Sequence, residues 1–307
     1  MQILRYPEVI EGGTALTIGS FDGLHKAHRA IIGEVVRRAN MRNVPSCVVS
    51  FWPLPQQVVH KGFSFFLTTL KEKEELLEEL GIDILYLIEF TPELMRVEAQ
   101  DFFMRYIFNP LRPKVVVVGP GHRFGYKRRG SPDFLKELSY KLGFEFKLLP
   151  SYRMGGTPIS STRIREQLLL GNVRRANELL GWEYFFSGRV IGGEKRGRRI
   201  GFPTLNLLPL DEKKLLPADG VYAVRVLVKG KEYPGVMYIG YRPTFGGETR
   251  SLEVHIFDVK RGIYPQEVRV DFVERLRGEE KFRDVSLLTK QIERDIGKAK
   301  KILKGNP

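Results

Sequence analysis

The chain has one cysteine, five histidines and two tryptophans in 307 residues, and each scarcity removes a class of chemistry. A single thiol, Cys47, can build neither a disulfide framework nor a thiolate metal cluster, and its setting, Ser46-Cys47-Val48-Val49-Ser50, reads as a buried strand thiol. No apolar run approaches the ~18 residues a membrane span needs. The opening Met1-Gln2-Ile3-Leu4-Arg5-Tyr6-Pro7 lacks the continuous apolar stretch of a secretory signal, so a cytoplasmic protein with no membrane partner is expected. Neither Gly-x-x-x-x-Gly-Lys-Ser/Thr nor a Gly-x-Gly-x-x-Gly after the first strand occurs, which excludes the two commonest phosphate-binding loops. No Ser/His/Asp or Cys/His set offers a covalent nucleophile.

Positive charge is what the chain has in excess. Fifty Lys and Arg against thirty-six Asp and Glu leave a formal +14, which favours nucleic acid, an anionic surface or phosphorylated small molecules as partners. The cations cluster beside glycines, in Lys127-Arg128-Arg129-Gly130 and Lys195-Arg196-Gly197-Arg198-Arg199, as phosphate-gripping loops require and a groove-reading helix does not. With 42% hydrophobic residues the chain can bury a large core, and at this length two domains are expected.

Short apolar runs at 16–19, 46–51, 82–89, 115–119 and 145–149 predict strands, with amphipathic helices at 28–40 and 70–80 between them. Such alternation implies a parallel sheet covered by helices, with ligands at the carboxyl ends of the strands. Two short capped helices follow at 163–170 and 173–180. Beyond Trp182 the period becomes alternating, at 185–190, 221–228, 232–239, 252–257 and 268–272, which predicts an antiparallel barrel or sandwich. Leu287, Leu288, Ile292, Ile296, Ala299, Ile302 and Leu303 then repeat as one face of a covering helix. The domains are placed at 1–183 and 184–307.

In Gly19-Ser20-Phe21-Asp22-Gly23-Leu24-His25-Lys26-Ala27-His28, two histidines stand where the first strand meets the first helix. Helix N–H groups there favour an anion, to which the imidazoles can add hydrogen bonds. Local capping is the plain alternative, and a metal would need more than Asp22 as a third ligand. Ser160-Ser161-Thr162-Arg163-Ile164-Arg165 can grip a pyrophosphate at a helix start or simply cap it. In the second half, Gly188-Arg189-Val190-Ile191-Gly192-Gly193 precedes Gly197-Arg198-Arg199-Ile200-Gly201-Phe202-Pro203-Thr204-Leu205-Asn206. Its glycines permit close approach to phosphates, and Thr204 and Asn206 alternate onto one side of a short strand as two neutral oxygen ligands for Mg²⁺. Turn glycines and a polar strand end are the plainer account of any few of these residues.

The histidine pair and the Ser/Thr/Arg helix start together resemble the nucleotidylyltransferase superfamily. Asp219-Gly220-Val221-Tyr222-Ala223, Gly240-Tyr241-Arg242-Pro243-Thr244-Phe245 and Leu252-Glu253-Val254-His255-Ile256-Phe257-Asp258 resemble the riboflavin kinase domain. Across residues 14–300 the chain is similar to the bacterial bifunctional riboflavin kinase/FAD synthetases. The resemblance implies an α/β protein: a Rossmann-like nucleotidylyltransferase domain, then an antiparallel β-barrel kinase domain with a terminal helix. It further implies two reactions, ATP-dependent phosphorylation of riboflavin to FMN and adenylylation of FMN to FAD with release of pyrophosphate.

The resemblance also assigns roles. His25 and His28 would steady the α-phosphate, while Gly19, Phe21, Gly23, Ser161, Thr162 and Arg165 would bind ATP for adenylylation. Glu253 would be the general base of the kinase. Gly188, Gly192, Gly201, Pro203, Thr204 and Asn206 would bind its ATP, with Mg²⁺ on Thr204 and Asn206. Arg123, Phe124 and Arg275 would contact flavin. The partners would be small molecules only, on a monomer or weak oligomer. Three motifs depart from the family pattern. Ala27 stands where glycine is usual, Leu54 takes the histidine of Phe-x-Pro-His-Pro, and Gly121-His122 replace Asp-Phe in Gly-x-Asp-Phe-x-Phe-Gly. A second reading is therefore a riboflavin kinase with an impaired or inactive adenylyltransferase half. A remote third, from the net charge, is a basic nucleic-acid-binding protein.

Overall fold

Strands covered on both faces are buried along their whole length and rich in apolar residues, and three runs of the chain meet that demand. β2 (Thr14–Ile18), β3 (Ser46–Phe51) and β4 (Ile84–Ile88) are buried at every residue. The structure, a computed structural model, describes residues 1–59, 65–192, 200–244, 247–257 and 266–305, without the side chains of 242–249. Gly193, the basic run 195–199, Phe245 and Asp258 lie outside the described residues. Contacts divide the chain into two units, Met1–Ser161 and Thr162–Pro307.

In the first unit, β1 (Gln2–Arg5), β2, β3, β4, β5 (Pro113–Val118) and β6 (Glu145–Leu148) form one sheet in the order β1-β4-β3-β2-β5-β6. Every pairing is parallel. The chain leaves β2 for β3 on one side and later returns to β5 on the other. The loops after β2 and β5 therefore flank a topological switch point, where open α/β sheets bind ligands. The edge strands β1 and β6 are only partly buried, and β1 was not predicted because four largely exposed residues carry no periodic signal.

The main helices have local causes. α1 (Lys26–Arg42) buries Ile32, Val35 and Ala39 and ends at Asn43 in the left-handed region. After the short α2 (Pro55–Val59), α3 (Leu70–Glu79) opens with a reciprocal capping box between Thr69 and Glu72. The segment α4 (Ala99–Phe102), a π-helical stretch over Phe103–Phe108 and α5 (Asn109–Leu111) bring aromatic rings into the core under β2–β5. α6 (Pro132–Leu142), unpredicted, carries ordinary signals: a Ser131 cap, Pro at its first position and Gly143 after it. A small hairpin, β7 (Arg153–Met154) with β8 (Thr157–Pro158), ends the unit.

The second unit starts within α7 (Ser161–Leu169) and continues through α8 (Val173–Leu180). β9 (Phe185–Ile191), β10 (Leu205–Pro209), β11 (Gly220–Val228), β12 (Lys231–Thr244), β13 (Gly247–Ile256) and β14 (Glu267–Arg277) close an antiparallel barrel in the order β10-β13-β12-β11-β14-β9. Of the two antiparallel arrangements the alternation allowed, the barrel is the one formed. Directly paired residues share a face. Phe186, Val270 and Val226 are linked by such pairs, as are Tyr222, Met237 and Val254, and all six are fully buried, so they mark the interior. The C-terminal helix α9 (Val285–Lys304) lays Ile296, Ala299, Ile302 and Leu303 against Ala223, Val236 and Phe257 on the outside.

Candidate active sites

The turn after β2 is built against conformational preference. Phe21 and Leu24 have φ of 46° and 36°, and Gly23 has 82°. Two non-glycine residues in the left-handed region cost ~1–3 kcal/mol each, which the surroundings must offset. Asp22 anchors the turn, its carboxylate accepting from Leu67 and Thr68 N–H at 2.9 and 3.1 Å. The Thr68 hydroxyl, 3.3 Å from that carboxylate, accepts the Gly23 N–H at 3.1 Å. The Asp22 carbonyl accepts the Ser161 hydroxyl at 2.8 Å. Asp22 is thus a structural tie. At Gly19 a Cβ would lie 3.1 Å from the Phe21 ring, so glycine keeps this turn tight.

The anchored turn delivers the histidine pair. His25 caps α1, and its Nδ1 accepts the His28 N–H at 3.3 Å. The neutral His25 ring therefore carries its proton on Nε2, free to donate. The two imidazoles stack at 3.6 Å and 15°, with Phe21 edge-on to His28 at 5.1 Å. Burial pushes His25 down to about 4. His28 is held well below the ordinary range by burial, then by His25 and Lys73. Nδ1 of His28 is buried without a partner. Ser161, the last residue of this unit, belongs to the same turn through Asp22. Thr162 and Arg165 follow in α7 within the second unit, Thr162 exposed and Arg165 half-buried.

The loop after β5 packs close to α1: a Cβ on Gly119 would sit 3.2 Å from Ile31. His122 donates its N–H to the Gly119 carbonyl at 3.1 Å, while its Nε2 is buried without a partner. Burial, then Arg123 and Arg128, pushes this imidazole down to about 4. Arg123 is exposed, its guanidinium 2.6 Å from the His122 carbonyl. Phe124 is 7% exposed and packs on Phe102, Phe103, Phe134 and His122, so its ring belongs to the core. Leu54, at the family's histidine position, is fully buried, with its N–H on the Gln57 side chain.

The second site lies on the outer face of the barrel. Glu253 on β13 pairs in register with Asn206 on β10 and Tyr238 on β12. Its Oε2 accepts the Thr204 hydroxyl at 3.2 Å and its Oε1 the Ser251 hydroxyl at 3.1 Å. His255 Nδ1 lies 2.8 Å from the Pro203 carbonyl, which fastens the residue before Thr204 to the same strand. Glu253 faces outward from the barrel, yet it is half-buried and aligned by two hydroxyls. Sequence reasoning missed Ser251, which strand alternation two residues away could have found, and Tyr238, which only the strand register brings to Glu253.

The glycines divide by cause. Gly201 needs its φ of 91°, whereas at Gly188 a Cβ would meet the Phe186 ring at 3.0 Å, a packing requirement. Gly192 has open space around its Cβ position. Arg275, remote in sequence from both motifs, donates to the Asp219 carbonyl at 2.6 Å, and its Nε is buried without a partner. A Cβ on Gly171 or Gly220 would lie 2.7 or 2.9 Å from the Arg275 side chain. The donors beside Glu253 fit Mg²⁺: the Thr204 hydroxyl and the Asn206 amide are hard oxygen ligands, and two of them leave the remaining positions to phosphates and water. Among the described residues no group of three or more His, Cys, Asp or Glu is placed to hold a metal.

Comparison with known proteins covers both units. The family model for FAD synthetase matches residues 8–163, and that for riboflavin kinase matches 180–303. A protein of Escherichia coli (strain K12) named bifunctional riboflavin kinase/FMN adenylyltransferase is 38% identical over 285 residues, 92% of this chain and 90% of that protein. A Bacillus subtilis (strain 168) protein of the same name is 35% identical over 288 residues, again 92% and 90%. Among solved structures, a Streptococcus pneumoniae chain titled macrolide-efflux protein superposes with a TM-score of 0.89 at 31% identity, covering 97% of this chain and 98% of that one. Among the described residues, no helix is long and apolar enough to cross a membrane.

Proposed function

The chain belongs to the family of bifunctional riboflavin kinase/FMN adenylyltransferases, and from that premise we propose that it makes FAD in two steps at two separate sites. The barrel transfers the γ-phosphoryl group of ATP to the ribityl 5′-hydroxyl of riboflavin, giving FMN and ADP. The parallel-sheet unit then transfers AMP from a second ATP to the FMN phosphate, giving FAD and pyrophosphate. We take the functional domains as 1–183 and 184–307.

In the kinase step, Glu253 accepts the hydroxyl proton as the oxygen attacks the γ-phosphorus. The Thr204 and Ser251 hydroxyls hold its two carboxylate oxygens in place, so the base meets the substrate pre-aligned. Thr204 and Asn206 would hold Mg²⁺, whose chemistry when bound with ATP would be to neutralise phosphate charge. Gly188, Gly192, Gly201 and Pro203 shape the ATP loop. In the adenylyl step the FMN phosphate oxygen attacks the α-phosphorus, and no protein nucleophile is needed. The Nε2–H of His25, with the neighbouring His28 ring, donates hydrogen bonds to the α-phosphate as charge builds on its oxygens. Gly19, Phe21 and Gly23 form the turn that admits ATP, and Ser161, Thr162 and Arg165 receive the β- and γ-phosphates.

We further assign flavin contacts to Arg123, Phe124 and Arg275, with Phe124 acting through the loop its ring anchors. A cytoplasmic monomer or weak oligomer completes the reading, in keeping with the single buried free thiol of Cys47. The observation that carries the proposal is the Glu253 carboxylate braced by two hydroxyls and in register with Asn206. Incubation with riboflavin, ATP and Mg²⁺, followed by chromatographic separation of flavins, tests it: FMN appears first and FAD follows. FMN accumulating without FAD would leave the kinase with an impaired adenylyltransferase half.

A further inference from the structure

Lys73 lies in α3 with its side chain completely buried. An ammonium taken out of water is costly unless paired with a carboxylate, and such groups are rare without a purpose. Here Nζ instead donates to two neutral oxygens, the Ser20 carbonyl at 2.8 Å and the Ser50 hydroxyl at 3.1 Å. The face of Trp52 lies 5.7 Å away. Ser20 opens the strained turn after β2, and Ser50 stands on β3, the strand next to β2. One buried cation therefore joins α3, β3 and the catalytic turn.

We propose that Lys73 is a positioning residue of the adenylyl-transfer site: it pins the Ser20 carbonyl, and with it the turn bearing Phe21, Gly23 and His25, and sets a fixed positive charge behind the histidine pair. The proposal rests on the adenylyltransferase reading of that site. Lys73 touches no substrate. Its charge acts on His28, whose imidazole it helps to hold neutral, so that the pair meets the phosphate as hydrogen-bond donors on an electropositive background. Burial pushes Lys73 itself down to about 8, while Asp22 on the turn and Glu74 on α3 act the other way. The ammonium is thus charged at neutral pH and close to release in mild alkali.

Lys73→Met, of similar length and without charge, separates this role from a merely structural one. Removing a buried, unpaired charge leaves the melting temperature unchanged or raised. We expect kcat/KM for ATP in FMN adenylylation to fall about 10-fold or more from loss of alignment, with riboflavin phosphorylation unchanged. The wild-type fall in adenylylation kcat/KM above about pH 8 disappears in the variant. His28, followed by NMR, titrates at higher pH than in the wild type. Wild-type adenylylation and pH profile in Lys73→Met would overturn the proposal. Should the variant not fold, a wild-type profile that stays flat from about pH 7 to about pH 9 overturns it, and a fall within that range upholds it. Wild-type protein that forms FMN but no FAD refutes the adenylyltransferase reading instead, and the His28 titration still decides whether Lys73 acts on the pair.

Discussion

The two sites solve different electrostatic problems. In the first, the site around the turn after β2 holds one buried and one half-buried imidazole and a buried ammonium, and keeps Phe21 and Leu24 in unfavourable backbone conformations. In the second, a carboxylate lies on an outward strand face, steadied by two hydroxyls at ordinary strand geometry. The chemistry explains the contrast. An FMN phosphate is already an anion and needs no base, so its site supplies donors and positive potential. A ribityl hydroxyl must lose a proton, so its site supplies an acceptor. The strained turn serves the site where charge must be received, and regular structure suffices where a proton must be accepted.

Substitutions that separate the two activities test this contrast most strongly. Glu253→Gln should lower FMN formation by about 100-fold or more while FMN fed to the variant still becomes FAD, measured by separate assays of the two steps. His28→Ala should do the reverse, lowering FAD formation about 100-fold with riboflavin phosphorylation retained. Either variant losing both activities while circular dichroism shows a folded chain would contradict separate sites.

Acid should also divide the halves, and the signs differ. His25 and His122 are lowered in the folded first unit to about 4, below the unfolded value. Their contribution to stability is whole above about pH 6.5 and is lost as pH falls toward about 4. Asp271 in the barrel is raised to about 6, because burial outweighs its ion pair with Arg269. Its effect runs the other way: the folded state takes up a proton first as pH falls through about 6, so acid favours the barrel at this residue. Thermal unfolding followed at pH 7.0 and about pH 5 should show the first unit losing more stability than the second.

The smallest effect expected is at His122. Replacing it with phenylalanine removes a buried nitrogen without a partner beside Phe124 and should raise the first unit's stability by about 1 kcal/mol, read as a higher melting temperature. A lower melting temperature would mean that the nitrogen is not a cost to the fold.

Much of this organisation is legible in the sequence because it depends on local pattern. β2, β3 and β4 announce themselves as short runs dominated by apolar residues, and the change of period after Trp182 marks the barrel strands. The histidine pair is visible by its place between strand and helix. β1 is invisible because an edge strand takes its partner from β4, eighty residues on, rather than from its own composition. Lys73 is half hidden for a related reason. Its spacing from Leu70, Leu76 and Leu77 puts it on the apolar face of the helix, but only tertiary packing brings it to the Ser20 carbonyl. Tyr238 is likewise given to Glu253 by register alone, whereas Ser251, two residues back on the same strand, follows from alternation. Local chemistry is written in the motif, whereas the residues that aim it come from pairings across the fold.

Mixing the two variants tests the central claim most directly. Glu253→Gln alone should leave riboflavin unconverted, and His28→Ala alone should stop at FMN. Combined with riboflavin, ATP and Mg²⁺, the two should yield FAD, because each chain supplies the site the other lacks. A mixture in which FMN appears but FAD does not, although Glu253→Gln converts added FMN, would contradict two self-sufficient sites in one chain.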